Sequence, residues 1–132
     1  MKKYPGIKFI LAHAGGFVPY IAYRILLTVL NEKNKAQQAW TLIDQKHQVP
    51  EHLAVLKQFY YDIALSASPA ALPSLLEVAD PDHITYGSDF PFAPPAVVGF
   101  LNGRFEEYRM HSSLRAAIDR GNAEALFPRL KA

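Results

Sequence analysis

Phe9-Ile10-Leu11-Ala12-His13-Ala14-Gly15-Gly16 is an apolar run that ends on a histidine and a glycine pair. Ile84-Thr85-Tyr86-Gly87-Ser88-Asp89-Phe90-Pro91 repeats the arrangement with an aspartate. A short unbroken apolar run reads as a strand buried on both faces, which is the signature of a parallel sheet covered by helices. Ligands of such proteins gather beyond the carboxyl ends of the strands, where loops aim side chains into a shared space. A histidine and an aspartate just past two strands therefore predict one site.

Working outward, residues 7–12 read as a buried strand. A helix follows with Pro19 in its first turn and Ile21, Ile25, Thr28 and Val29 near helical spacing, until the polar run Asn31-Glu32-Lys33-Asn34-Lys35 ends the pattern. A second helix is expected over about residues 36–46, with Ala39, Trp40 and Ile43 on one side, broken near Pro50. A short helix through Leu53 and Leu56 leads to a strand at Phe59-Tyr60-Tyr61-Asp62-Ile63-Ala64. Ser68 and Pro69 read as N-cap and N1 of a helix that turns Leu72, Leu75, Leu76 and Ala79 inward, with Pro73 loosening its first turns. Asp80-Pro81-Asp82 makes a turn, Ile84 to Gly87 the third strand, and a proline-rich loop runs through Pro94 and Pro95. Ser112-Ser113 and Asn122 are N-cap candidates for the closing helices. Strands alternating with helices predict right-handed parallel crossovers and an α/β layer fold in one domain.

Composition narrows the partners. The chain has 132 residues, half of them hydrophobic, enough for one modest core. Fourteen basic and twelve acidic residues are scattered rather than massed, which argues against nucleic acid. Cysteine is absent, so disulfides and thiolate metal sites are excluded and a reducing, cytoplasmic setting is the expectation. Met1-Lys2-Lys3 is followed by Pro5 and Gly6 and by an apolar segment too short for a signal sequence, and nothing reaches membrane-spanning length.

Each chemical group has two readings. His13 suits acid/base work or metal ligation at a strand mouth that small residues leave open, or it hydrogen-bonds a loop. Asp89 suits a catalytic carboxylate or a metal ligand, or it caps an Asx-turn in the proline-rich loop. If the three strands are adjacent, the first and third lie two spacings of about 4.8 Å apart, close enough for one substrate or water to meet both groups. Arg24 can grip a carboxylate bidentately or sit on the surface beside an acid. Phe90 and Phe92 can stack on an aromatic substrate or pack their loop. Tyr60, Tyr61 and Asp62 read as strand packing, with Asp62 holding a neighbouring loop. Ser66 and Ser68 lack a nucleophile elbow, so a serine hydrolase is a poor fit. His47, His52, His83 and His111 fall on helices or turns, and no His-x-His or His-Glu-x-x-His pattern anchors a metal.

The run from Phe9 to Pro19 followed by Arg24 resembles the amidohydrolase-2 (amidohydrolase-related) family. Tyr60-Tyr61-Asp62-Ile63, the Gly87-Ser88-Asp89-Phe90-Pro91-Phe92 signature and Gly121-Asn122-Ala123 through Leu126-Phe127 continue the resemblance. Within the family the pattern is similar to the metal-dependent decarboxylases of aromatic and related acids, of aminocarboxymuconate-semialdehyde decarboxylase type. The resemblance implies that residues 1–132 are a single partial domain, the carboxyl-terminal portion of a metal-dependent-hydrolase type TIM barrel. It spans about three βα units, from about the sixth strand onward.

On that resemblance His13 matches the family's catalytic acid/base, Asp89 the metal-binding aspartate of the last strand, Arg24 a substrate-carboxylate arginine and Phe92 an aromatic beside the substrate. A divalent metal, usually zinc, is implied, with a ring or diene carbon protonated before carbon dioxide leaves. The family's His-x-His pair and a further metal histidine have no counterpart here, and one aspartate does not hold catalytic zinc. The expectation is thus a decarboxylase fragment acting on a small carboxylate, inactive until the missing amino-terminal half is supplied. Two alternatives stand beside it: a metal-dependent hydrolase, and a noncatalytic remnant or interaction protein that forms homo-oligomers through exposed sheet edges.

Overall fold

The computed structural model describes residues 3–32 and 51–131. Three strands, β1 (Ile10–Leu11), β2 (Tyr60–Asp62) and β3 (Ile84–Thr85), form a parallel sheet in the order β1-β2-β3. Ile10 pairs with Tyr60, Leu11 with Tyr61, Tyr61 with Ile84 and Asp62 with Thr85, so all three carboxyl ends reach the same edge of the sheet. The helices are α1 (Val18–Glu32), α2 (Ala71–Val78), α3 (Pro95–Glu107), α4 (Ser112–Ala116) and α5 (Asn122–Leu126). A 3₁₀ segment, Glu51–Gln58, enters β2, and a π turn, Ala117–Gly121, joins α4 to α5.

Central β2 supplies the heart of the core because it alone has a strand on either side. Tyr61 and Ile63 are buried with Leu72 and Leu75 of α2, Ile84 of β3, Phe105 of α3 and Ile118 of the π turn. Fully burying each of these aliphatic side chains contributes about 1.5–3 kcal/mol. A second cluster joins Ala22 and Leu26 of α1 to Leu53 and Val78.

The two outer edges of the sheet differ. In a parallel ladder alternate residues direct their backbone groups to opposite sides. Ile63 N–H donates to Thr85 O at 3.1 Å, so the groups of Ile84 and Tyr86 face away from β2. Both are taken up by the closing helices: Tyr86 N–H donates to Ile118 O at 2.8 Å, and Asn122 Nδ2 donates to Ile84 O at 2.7 Å and to Pro81 O at 2.8 Å. No such cover is found for β1 among the described residues, and Ile7, Phe9 and Ile10 are exposed there.

Several expectations need correction. The first strand is not buried: its ladder is two residues long and Ile10 is 44% exposed, because it is an edge. On α1 the inward face is Pro19, Ala22 and Leu26, whereas Ile25 and Thr28 are exposed, because Leu53 and Val78 cluster with Ala22 and Leu26. Ser68 does cap the next helix, its Oγ accepting from Ala71 N–H at 3.1 Å and its carbonyl from Leu72 N–H at 3.0 Å. The ladder of that element nonetheless begins at Ala71, and Leu76 is only partly buried. Ser112 is a helix residue rather than a cap, since His111 Nδ1 accepts from Ser113 N–H at 3.3 Å. Asn122 is helical, φ −68° and ψ −38°, and spends its amide on the β3 edge instead of on a helix end. The helix expected over 36–46 lies outside the described residues.

Candidate active site

His13 leaves β1 in a left-handed turn. It adopts φ 56° and ψ 51° and Ala14 φ 55° and ψ 26°, followed by Gly15 and Gly16 at φ 75° and 61°. A left-handed conformation costs a non-glycine residue roughly 1–2 kcal/mol, so two in succession require support. Asp62, at the end of β2, provides it. Its Oδ1 accepts from His13 N–H and from Ala64 N–H, both at 3.0 Å. Gly16 N–H closes the turn on His13 O at 2.8 Å. Gly15 lies flat against the buried Tyr61 ring, where a β-carbon would stand 3.0 Å from Cε1.

The imidazole is held as well as the backbone. His13 Nδ1 lies 3.0 Å from Ala64 O, and a carbonyl can only accept, so Nδ1 carries the proton. In the neutral ring Nε2 is then the atom with a lone pair.

Asp89 lies past β3 at φ 61°, half-buried, in a loop closed by Ala93 N–H on Asp89 O at 2.8 Å and by Phe90 N–H on Ser88 Oγ at 3.2 Å. Gly87, two residues earlier, presses on β2: a β-carbon there would come within 3.1 Å of Asp62 Cβ and 3.3 Å of Ala64 Cβ. Asp62 therefore touches both outer strand ends, binding the turn of His13 on one side and packed by the approach to Asp89 on the other.

The other expected site residues are less constrained. Phe92 and Phe90 are exposed and line the same loop. Arg24 is exposed, six residues into α1 and thus about 9 Å along its axis from Val18. Its side chain makes no hydrogen bond or ion pair with a described residue. His83 and His111 have local duties, His83 Nδ1 meeting Lys57 O at 2.8 Å and His111 capping α4. A crevice of about 400 Å³ among Tyr86, Asn102, Phe105, Glu106, Arg115 and Asp119 contains neither His13 nor Asp89. Sequence reasoning gave Asp62 a loop-holding role. It missed the Ala64 carbonyl, which has no residue signature, and the close approach of Gly87 to Asp62.

No group of three His, Cys, Asp or Glu side chains that could hold a metal ion occurs among the described residues. Asp89 offers one carboxylate, and His13 Nδ1 is engaged by a carbonyl. A catalytic divalent metal takes about three protein ligands, so the donors among the described residues do not by themselves fit one.

A parallel sheet flanked by helices, with His13 and Asp89 beyond its carboxyl edge, defines the α/β class. Residues 1–129 match the model of the amidohydrolase family, and the chain belongs to that family. It is 38% identical over 132 residues to 6-methylsalicylic acid decarboxylase of Penicillium expansum and 34% identical over 136 residues to 6-methylsalicylic acid decarboxylase of Aspergillus aculeatus. In both cases 99% of this chain is covered, and it spans only 38% of the length of those curated relatives. Its fold superposes on a crystal structure of dihydroxybenzoic acid decarboxylase from Polaromonas sp. JS666, which holds manganese and the inhibitor 2-nitroresorcinol. The TM-score is 0.71 and the identity 25%, covering 99% of this chain and 36% of that one. Among the described residues no helix is long and apolar enough to cross a membrane.

Proposed function

We propose that this chain forms the carboxyl-terminal, proton-transferring portion of a TIM-barrel decarboxylase that acts on a small aromatic carboxylic acid. The observation that carries the reading is the fixed imidazole of His13: its backbone is tied to Asp62 of β2 and its ring to Ala64 just beyond it, and Nε2 is left to take up and return a proton at the carboxyl edge of the sheet. In decarboxylation a ring carbon gains a proton as its bond to the carboxylate breaks, and carbon dioxide leaves. A histidine of defined tautomer suits that transfer. Identity to enzymes named as 6-methylsalicylic acid decarboxylases supports this chemistry over hydrolysis.

Asp89 would give one ligand to a divalent metal, manganese or zinc, whose remaining ligands would come from outside the described residues. Phe92 would lie against the aromatic ring. Arg24, far along α1, would meet the substrate carboxylate of a neighbouring copy. The chain would be one part of a single domain, and the open β1 edge is one place where missing strands would join the sheet. That same open edge favours a second reading, a noncatalytic protein that self-associates through β1.

The test is to assay the purified chain with manganese or zinc and 6-methylsalicylate, alone and mixed with an amino-terminal segment of the Penicillium expansum relative. Carbon dioxide release only in the mixture, abolished by His13→Gln, is expected. Stoichiometric metal in the isolated chain, or turnover that survives His13→Gln, would refute the proposal.

A further inference from the structure

We infer that Asp62 is a positioning residue that sets the tautomer and orientation of His13; the catalytic meaning of this rests on the function proposed above, but the structural claim does not. One carboxylate oxygen, Oδ1, accepts both His13 N–H and Ala64 N–H at 3.0 Å. The first bond fixes the backbone of His13 at φ 56°, a conformation that few non-glycine residues hold unaided. The second holds the N–H of Ala64, the same residue whose carbonyl lies 3.0 Å from His13 Nδ1. Backbone and ring of the same histidine are thus referred to a single side chain on the neighbouring strand.

The sheet register makes this possible. Leu11 pairs with Tyr61, so His13 and Asp62 both emerge just beyond the end of the β1–β2 ladder. Asp62 is in turn packed closely from beyond β3: a β-carbon at Gly87 would meet Asp62 Cβ at 3.1 Å and Cγ at 3.3 Å, tighter than ordinary contact. The geometry thus makes Asp62 the common reference of all three strand ends. Removing the carboxylate frees the His13 turn and the Ala64 peptide together, and the imidazole then loses the acceptor that keeps its proton on Nδ1. Asparagine at the same place retains an oxygen able to accept both N–H bonds, so the oxygen rather than the charge is what the arrangement needs.

Imidazole nitrogen NMR on the labelled full-length chain, with histidines neutral, reads the tautomer directly and needs no activity. His13 is identified by the signal missing in His13→Gln. The wild-type chain is expected in the Nδ1–H form, Asp62→Asn likewise, and Asp62→Ala in mainly the Nε2–H form that prevails in free histidine. A folded Asp62→Ala chain that keeps the Nδ1–H form would overturn the assignment, as would a wild-type chain in the Nε2–H form. If Asp62→Ala does not fold, amide exchange in the wild type decides: slow exchange at both His13 and Ala64 is expected, and fast exchange at either refutes the shared acceptor. In the completed enzyme Asp62→Ala is expected to lower kcat at least tenfold with KM little changed, whereas Asp62→Asn restores kcat. A tautomer result as expected with no turnover in any mixture would sink the proposed function and leave the positioning role intact.

Discussion

Replacing Asn122 by alanine should loosen the closing helices from the sheet, and the cost can be worked from the contacts. Asn122 is buried, and its Nδ2 donates to Ile84 O at 2.7 Å and Pro81 O at 2.8 Å. Each hydrogen bond contributes about 0.5–1.5 kcal/mol net, and a buried carbonyl left without a donor costs about 1–3 kcal/mol, so Asn122→Ala should lose about 2–4 kcal/mol. Urea unfolding followed by circular dichroism should show a lower midpoint at unchanged m-value. Asn122→Asp sharpens the test, because a carboxylate can only accept and would face two carbonyl oxygens. That carboxyl would be held neutral by the fold, its pKa raised. The variant should therefore be most stable below the ordinary carboxylate range, near pH 4, and lose stability as pH rises through and above it. An alanine variant within about 0.5 kcal/mol of wild type, or an aspartate variant with wild-type stability at neutral pH, would refute the cover assigned to the β3 edge.

Gly15→Ala should destabilise by about 2–5 kcal/mol, since it adds a left-handed penalty to overpacking against Tyr61; the same unfolding assay checks it. Burial pushes the Tyr61 hydroxyl up from its ordinary 10.0 to about 12, so its contribution is fully present below pH 10 and is lost as pH rises toward 12. Tyr61→Phe should flatten that alkaline limb of stability, and an unchanged limb would show that burial of this ring is not its cause. Phe92 is 89% exposed, so Phe92→Ala should leave the unfolding midpoint within about 0.5 kcal/mol of wild type. In the completed enzyme the same change should raise KM for an aromatic acid, and an unchanged KM would remove Phe92 from the substrate site.

The sequence alone determined the strand–helix alternation, the α/β class and the two strand mouths, because apolar runs ended by glycine, proline or polar residues are local signals. It also marked His13 and Asp89, whose chemistry is written in their residue types, and the Ser68 cap. Edges and faces were decided elsewhere. That Ile10 is exposed while Tyr61 is wholly buried depends on which strand is central, and an apolar run reads the same in either place. Which face of α1 turns inward, Ala22 and Leu26 rather than Ile25, depends on where Leu53 and Val78 are brought. Asn122 sits at a position that reads locally as a helix cap, yet its partners lie 38 and 41 residues away. His13, too, owes its tautomer to a carbonyl 51 residues distant, which no residue type announces. Local propensity is a property of a few neighbours in the chain, whereas burial, edge cover and proton placement are fixed by whichever groups the fold brings into contact, and only the tertiary structure names them.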